Sequence, residues 1–211
     1  MEQNLTRKEH EQALHKKLII KAAAQIFSEK GYEKTTLDEV AQLAEFSKGS
    51  LYNYFENKED LFLTTLEVGV LKLIEEMSIV AKLSTSISQQ TKSILSVMVN
   101  FFQENDSFNK QRAFFQMMVN EKRVMACQAS HEFLHRMQKM HSKMTSFFSS
   151  IFKVGIETGE LKNGNPQTFA EVLLGIIHHH IFMVNLELLE FNQEKADQIF
   201  EIFFNGVKAE K

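Results

Sequence analysis

An all-α protein is predicted by three features of this sequence. One proline and eight glycines in 211 residues leave few forced breaks in a chain rich in Leu, Ile, Lys, Glu, Gln and Met. Apolar residues recur at spacings of three and four through most of its length. Helix-starting residues stand directly before several of these periodic stretches.

The elements follow in order. Leu18, Ile19, Ala22, Ala23, Ile26 and Phe27 share one helical face over about 8–30, and Gly31 follows as a helix-ending residue. Thr36 stands three residues before Glu39, a capping box for a short helix carrying Val40, Ala41 and Leu43 that ends near Ala44. Ser47 caps a third short helix running through Phe55, with Leu51 and Phe55 turned inward. Asn57 and Asp60 repeat the capping logic for a fourth, whose stripe of Leu61, Phe62, Leu66, Val70, Leu73 and Met77 lasts about five turns. The polar run from Ser84 to Gln90 marks a break. Long helices are then predicted near 87–104, 107–124, 127–158, 166–190 and 194–208, giving about nine in all, with Asn165-Pro166 a strong start signal.

Bulk charge says little about partners. The chain carries a net charge of −3, and residues 1–60 hold nine Lys or Arg against eleven Asp or Glu. Any nucleic-acid contact must therefore rest on local placement of cations and helix ends. A single cysteine, Cys127, excludes an intramolecular disulfide, and the charged start MEQNLTRKEHEQ lacks the apolar stretch of a signal peptide. Both favour the cytoplasm. The apolar segment 172–184 is interrupted by three histidines and falls short of the roughly 20 residues of a membrane span, so none is expected.

Two short capped helices joined by Ala44-Glu45-Phe46-Ser47, flanked by longer ones, have the layout of a helix-turn-helix. The second would enter a major groove. Lys48 offers a cation and Gly49 lets backbone approach the sugar-phosphate chain. Ser47, Ser50 and Asn53 are hydrogen-bonding groups, while Tyr52 and Tyr54 combine a flat ring with a hydroxyl. Thr36 and Lys58 sit at helix starts that favour anions. A three-helix bundle that binds no DNA has the same periodicity, so these features alone leave both readings open.

Residues 16–66, with TTLDEVA, FSKGSLYNYF and ENKEDLF, resemble the N-terminal domain of the TetR/AcrR family of bacterial transcriptional regulators. The resemblance implies a homodimer whose N-terminal heads, here about 1–60, bind a palindromic double-stranded DNA operator. It further implies a helical domain, here about 61–211, that dimerises through its last two long helices and binds a small-molecule effector. By motif match, Thr36, Ser47, Lys48, Gly49, Ser50, Tyr52, Asn53, Tyr54 and Lys58 take the DNA-contact role. A repressor released from its operator by a hydrophobic effector is the expected function, with neither catalysis nor a cofactor. The family often has Gly where this chain has Glu45; a left-handed Glu45 would cost roughly 1 kcal/mol, and the alternative is a reshaped turn.

Two further features compete for function. HEFLHRMQKMH at 131–141 meets the HExxHxxGxxH zinc-protease pattern except at Gln138, where the protease has the glycine that lets the chain leave the helix. On a continuous helix His141 lies about 9 Å along the axis from His135 and about 120° around it, which no shared zinc tolerates. A weaker alternative is a metal-responsive regulator using the face of His131 and His135 with a group such as Glu121 or one of His178–His180. Fifteen of nineteen phenylalanines and seven of ten methionines follow residue 100, material for an adaptable pocket as well as for a core. Phe115, Met118 and His179 are the effector-contact candidates.

Overall fold

The computed structural model describes residues 6–103, 131–185 and 188–208, which form eight helices and no named strand. Thr6 starts α1 (Arg7–Lys34) with a reciprocal cap, accepting the Glu9 N–H while the Glu9 carboxylate accepts from Thr6 N at 2.7 Å. Gly31 interrupts this helix at φ 74°, a conformation that suits a residue without Cβ, and one more helical turn follows through Lys34. That extra turn carries Tyr32, buried against Phe27 with ring centroids 6.1 Å apart.

The capping box expected at Thr36 opens α2 (Leu37–Leu43), and Ser47 accepts the Ser50 N–H at the start of α3 (Lys48–Leu51). Lys30 reinforces the box by binding the Glu39 carboxylate, which with the Thr36 backbone and hydroxyl donors lowers the Glu39 pKa to about 2. The α-helical part of α3 is shorter than the predicted 47–55. Beyond it the amides of Asn53 and Tyr54 bond three residues back, a tightened turn that continues the element to Phe55.

Asn57 caps α4 (Lys58–Lys82), which passes from the head into a bundle with α5 (Ile87–Gln103), α6 (His131–Glu157), α7 (Pro166–Asn185) and α8 (Gln193–Val207). The predicted helix at 107–124, with Phe115, Met118 and Glu121, and the cysteine Cys127 lie outside the described residues. The helix expected at 166–190 is described as far as Asn185, residues 188–190 are not helical, and the Leu188 N–H bonds to the Met183 carbonyl at 3.0 Å. No helix among the described residues is long and apolar enough to cross a membrane.

One apolar core runs through head and bundle. Phe62 on α4 joins the two parts, meeting Phe27 and Tyr32 edge-on at 5.3 and 4.7 Å and stacking on Phe133 of α6 at 6.4 Å. Such offset and edge-on aromatic packing adds to the area it buries.

Candidate nucleic-acid interface and effector cavity

The two short helices are joined by a turn in which Glu45 takes φ 61°. Of the two outcomes expected for this residue, the left-handed conformation is the one found, and the turn keeps its shape. Phe46 leaves the turn toward α1, its amide bonded to the Ala41 carbonyl at 2.9 Å. Replacing Glu45 by glycine should stabilise the protein by about 0.5 kcal/mol, since relief of roughly 1 kcal/mol of backbone strain is partly offset by the freer unfolded chain. Denaturant unfolding checks this; a loss of stability would mean that the Glu45 side chain contributes more than its backbone costs.

Thr36, Ser47, Lys48, Gly49, Tyr52 and Asn53 are exposed together on the α2–α3 face, with Ser50 half-buried between them. Tyr52 is 52% exposed, high for a large aromatic that has no partner in the core. The Lys48 ammonium binds the Asp38 carboxylate at 2.7 Å, and that hydrogen bond raises the Lys48 pKa. Both groups are solvated, so the pair is weak and salt-screened, and Lys48 can exchange its partner for a phosphate. A Cβ added at Gly49 would meet only the Ser47 hydroxyl, at 3.8 Å, so packing within the head does not require glycine there.

Two expected DNA contacts sit differently. The Tyr54 hydroxyl lies 3.0 Å from His15 Nδ1, and the His15 ring is edge-on to Phe46 at 5.0 Å, so Tyr54 braces α3 against α1. The Lys58 ammonium donates to the carbonyls of Tyr32, Thr35 and Glu33 at 2.9, 3.1 and 3.3 Å, and lies 4.4 Å from the Tyr32 ring centroid. Those carbonyls lie at the C-terminal end of α1, where Tyr32 also accepts the Thr35 N–H, and such a helix end attracts a cation as a helix start attracts an anion. Both side chains have their polar ends occupied inside the head.

The HEFLHRMQKMH stretch is a continuous part of α6, in keeping with Gln138 in place of glycine. His131 and His135 are exposed, and no group of three acidic, histidine or cysteine side chains able to hold a metal occurs among the described residues. The same stretch supplies two features that its zinc pattern conceals. Arg136, its side chain 13% exposed, holds the Glu67 carboxylate with two nitrogens at 2.9 and 2.8 Å, Asp60 at 2.8 Å and the Thr64 hydroxyl at 2.9 Å. All three partners lie on the first turns of α4, and Asp60 also accepts the Glu56 N–H at 3.1 Å. Met137, Met140, His141 and Met144 then line a cavity of about 110 Å³ between α4, α5, α6 and α7.

That cavity is walled on the other sides by Val70 and Leu73 of α4, Met98 and Phe101 of α5, and His178 of α7. Of the three successive histidines, His178 is the one in this lining, while His178 and His179 are both solvent-exposed. Successive helical residues are about 100° apart, and periodicity alone did not say which of the three histidines faces inward. His15, Asp38 and Arg136 were likewise missed, because each acts through a residue distant in the sequence.

A family model described as bacterial regulatory proteins, tetR family, matches residues 19–65. The HTH-type transcriptional regulator YhgD of Bacillus subtilis is 30% identical over 192 residues, covering 89% of this chain and 93% of that protein. The HTH-type transcriptional regulator QacR of Staphylococcus aureus is 24% identical over 202 residues, covering 90% and 96%. The fold is similar to that of the crystal structure of FadR from Bacillus subtilis in complex with stearoyl-CoA, with TM-score 0.76 and 20% identity over 90% of this chain and 98% of that one.

Proposed function

Because this chain belongs to the tetR family of bacterial regulatory proteins and is a DNA-binding transcriptional regulator, we propose that it represses transcription as a homodimer and leaves its operator when a hydrophobic effector enters the bundle. The observation that carries this is the exposed α2–α3 face: Ser47, Lys48, Gly49, Tyr52 and Asn53 gathered on the second element of a helix-turn-helix. Thr36 at the start of α2 and Ser50 complete the contact set, while Tyr54 and Lys58 orient it. Residues 1–60 form the reading head and 61–211 the effector and dimerisation part, acting in the cytoplasm.

Support for the dimer comes from α7 and α8, which leave Val172 51% and Ile202 72% exposed although both are large and apolar. The effector site of this proposal is the apolar cavity, as FadR, similar in fold, was crystallised with stearoyl-CoA. An effector there bears on α4 directly and on α6, which Arg136 ties to the same first turns of α4. Two heads set on one two-fold axis read half-sites about one DNA turn apart, so a change in their separation loses one of the two.

Selection from random DNA tests the reading. Recovery of a palindromic site is expected; no DNA binding at any salt concentration would sink it. Gly49→Ala sharpens the test. Alanine should raise stability by about 0.5–1 kcal/mol, being the better helix former in open space, yet weaken operator binding by crowding the backbone against DNA. Equal or tighter binding by this variant would remove Gly49 from the interface.

A further inference from the structure

Among the described residues, His141 and His178 are the polar elements of an otherwise apolar cavity wall, their ring centroids 5.9 Å apart and their planes tilted by 42°. Neither nitrogen of His178 has a hydrogen-bond partner among the described residues, and His141 reaches only the Thr145 hydroxyl, at 3.4 Å. Burial, and secondarily the neighbouring His141, push the His178 pKa down. Both imidazoles keep an exposed edge, so they stand at the mouth of the apolar cavity with ring nitrogens free to bind a ligand, and two such rings repel when both are protonated.

Among the described residues the lining offers no acidic side chain to a cationic ligand. An alcohol oxygen can bridge two donors, but it brings no charge to favour protonated imidazole. A carboxylate offers two oxygens, one for each ring, and its charge turns the repulsion between two protonatable groups into attraction. We propose that the cavity takes an apolar molecule ending in a single carboxylate, held by His141 and His178 with its hydrocarbon part among Met137, Met140 and Met144. This rests on the effector-responsive reading above and names the chemistry of the effector. The methionine walls can yield to chains longer than the free volume admits, because the thioether side chain is unbranched and flexible.

Binding should take up a proton. The free cavity keeps His178 neutral, and the carboxylate raises its pKa again, so affinity increases as pH falls from about 8 to about 6. Among the described residues, α4 and α5 contribute no titratable group to the cavity, α6 contributes His141 and α7 His178. Glu171 of α7 shares a separate groove with His141, on which Gln167 also opens.

The test is calorimetric titration of octanoate into the full chain at both pH values, with 1-octanol as the neutral control. Octanoate should bind about ten- to a hundredfold tighter than 1-octanol, with heats that depend on the buffer's ionisation enthalpy. His178→Phe should lose that preference, and His178→Gln, which keeps an N–H donor, should retain part of it with a weaker pH dependence, since only His141 then titrates; thermal melting of each reports whether it folds. Equal affinity for the two probes, or no octanoate binding at millimolar concentration, overturns the proposal. So does tight zinc or copper(I) uptake that is lost in His178→Phe, which would make the imidazoles metal ligands. Calorimetry needs no operator, so a chain that binds octanoate without binding DNA refutes the repressor reading alone, and one that binds its operator but no carboxylate refutes only this inference.

Discussion

Replacing Arg136 by alanine should destabilise the protein by about 2–3 kcal/mol and weaken the response of operator binding to the effector. The guanidinium makes four hydrogen bonds to Asp60, Thr64 and Glu67, and its removal leaves two carboxylates facing each other on α4 without a cation. Breaking a fully buried pair costs roughly 3–5 kcal/mol; here Asp60 and Glu67 remain 29% and 28% exposed, so solvent screens part of the loss. Arg136→Lys keeps the charge but cannot fork onto both carboxylates, and should recover only a minor part. Denaturant unfolding measures the first effect, and operator affinity with and without effector the second. Stability within about 0.5 kcal/mol of the parent would show that Arg136 is an ordinary surface ion pair, and an unchanged effector response would remove it from the coupling route.

Lys58→Ala should cost about 2 kcal/mol in head stability, through the three α1 carbonyls and the Tyr32 ring that lose their cation. Operator affinity should fall with it, because Lys58 ties the start of α4 to the end of α1. From the sequence, Lys58 was expected to contact phosphate, and the two roles are separable by salt. A phosphate contact predicts that the salt slope of binding drops by about 1 per half-site, whereas a positioning role leaves the slope unchanged. An unchanged slope with a lowered melting temperature is the expected result; a lowered slope with unchanged stability would return Lys58 to the DNA contacts.

The two side chains show where sequence reasoning stops. Lys58 stands at a helix start, and locally that favours a phosphate; the competing attraction comes from carbonyls 23 to 26 residues earlier, which no local pattern brings beside it. Nothing local in HEFLHRMQKMH sets Arg136 apart from the other polar residues of the helix. Its partners are 69 to 76 residues away. Which of the three successive histidines lines the cavity depends on a rotation of about 100° per residue, which periodicity alone does not fix. Caps fared better, because Thr36 with Glu39, Ser47 with Ser50 and Asn57 with Asp60 act within three residues and are written in consecutive sequence.

Local chemistry therefore determined the helices, their starts and the layout of two short helices joined by a turn. These follow from hydrogen bonds, dihedral preferences and apolar periodicity that span a few residues. Tertiary structure alone decided which side chains are already engaged, which imidazoles share a cavity and what joins that cavity to the head. Each of those depends on the crossing and rotation of packed helices, which are set by the whole core around Phe62 rather than by any one segment of the chain.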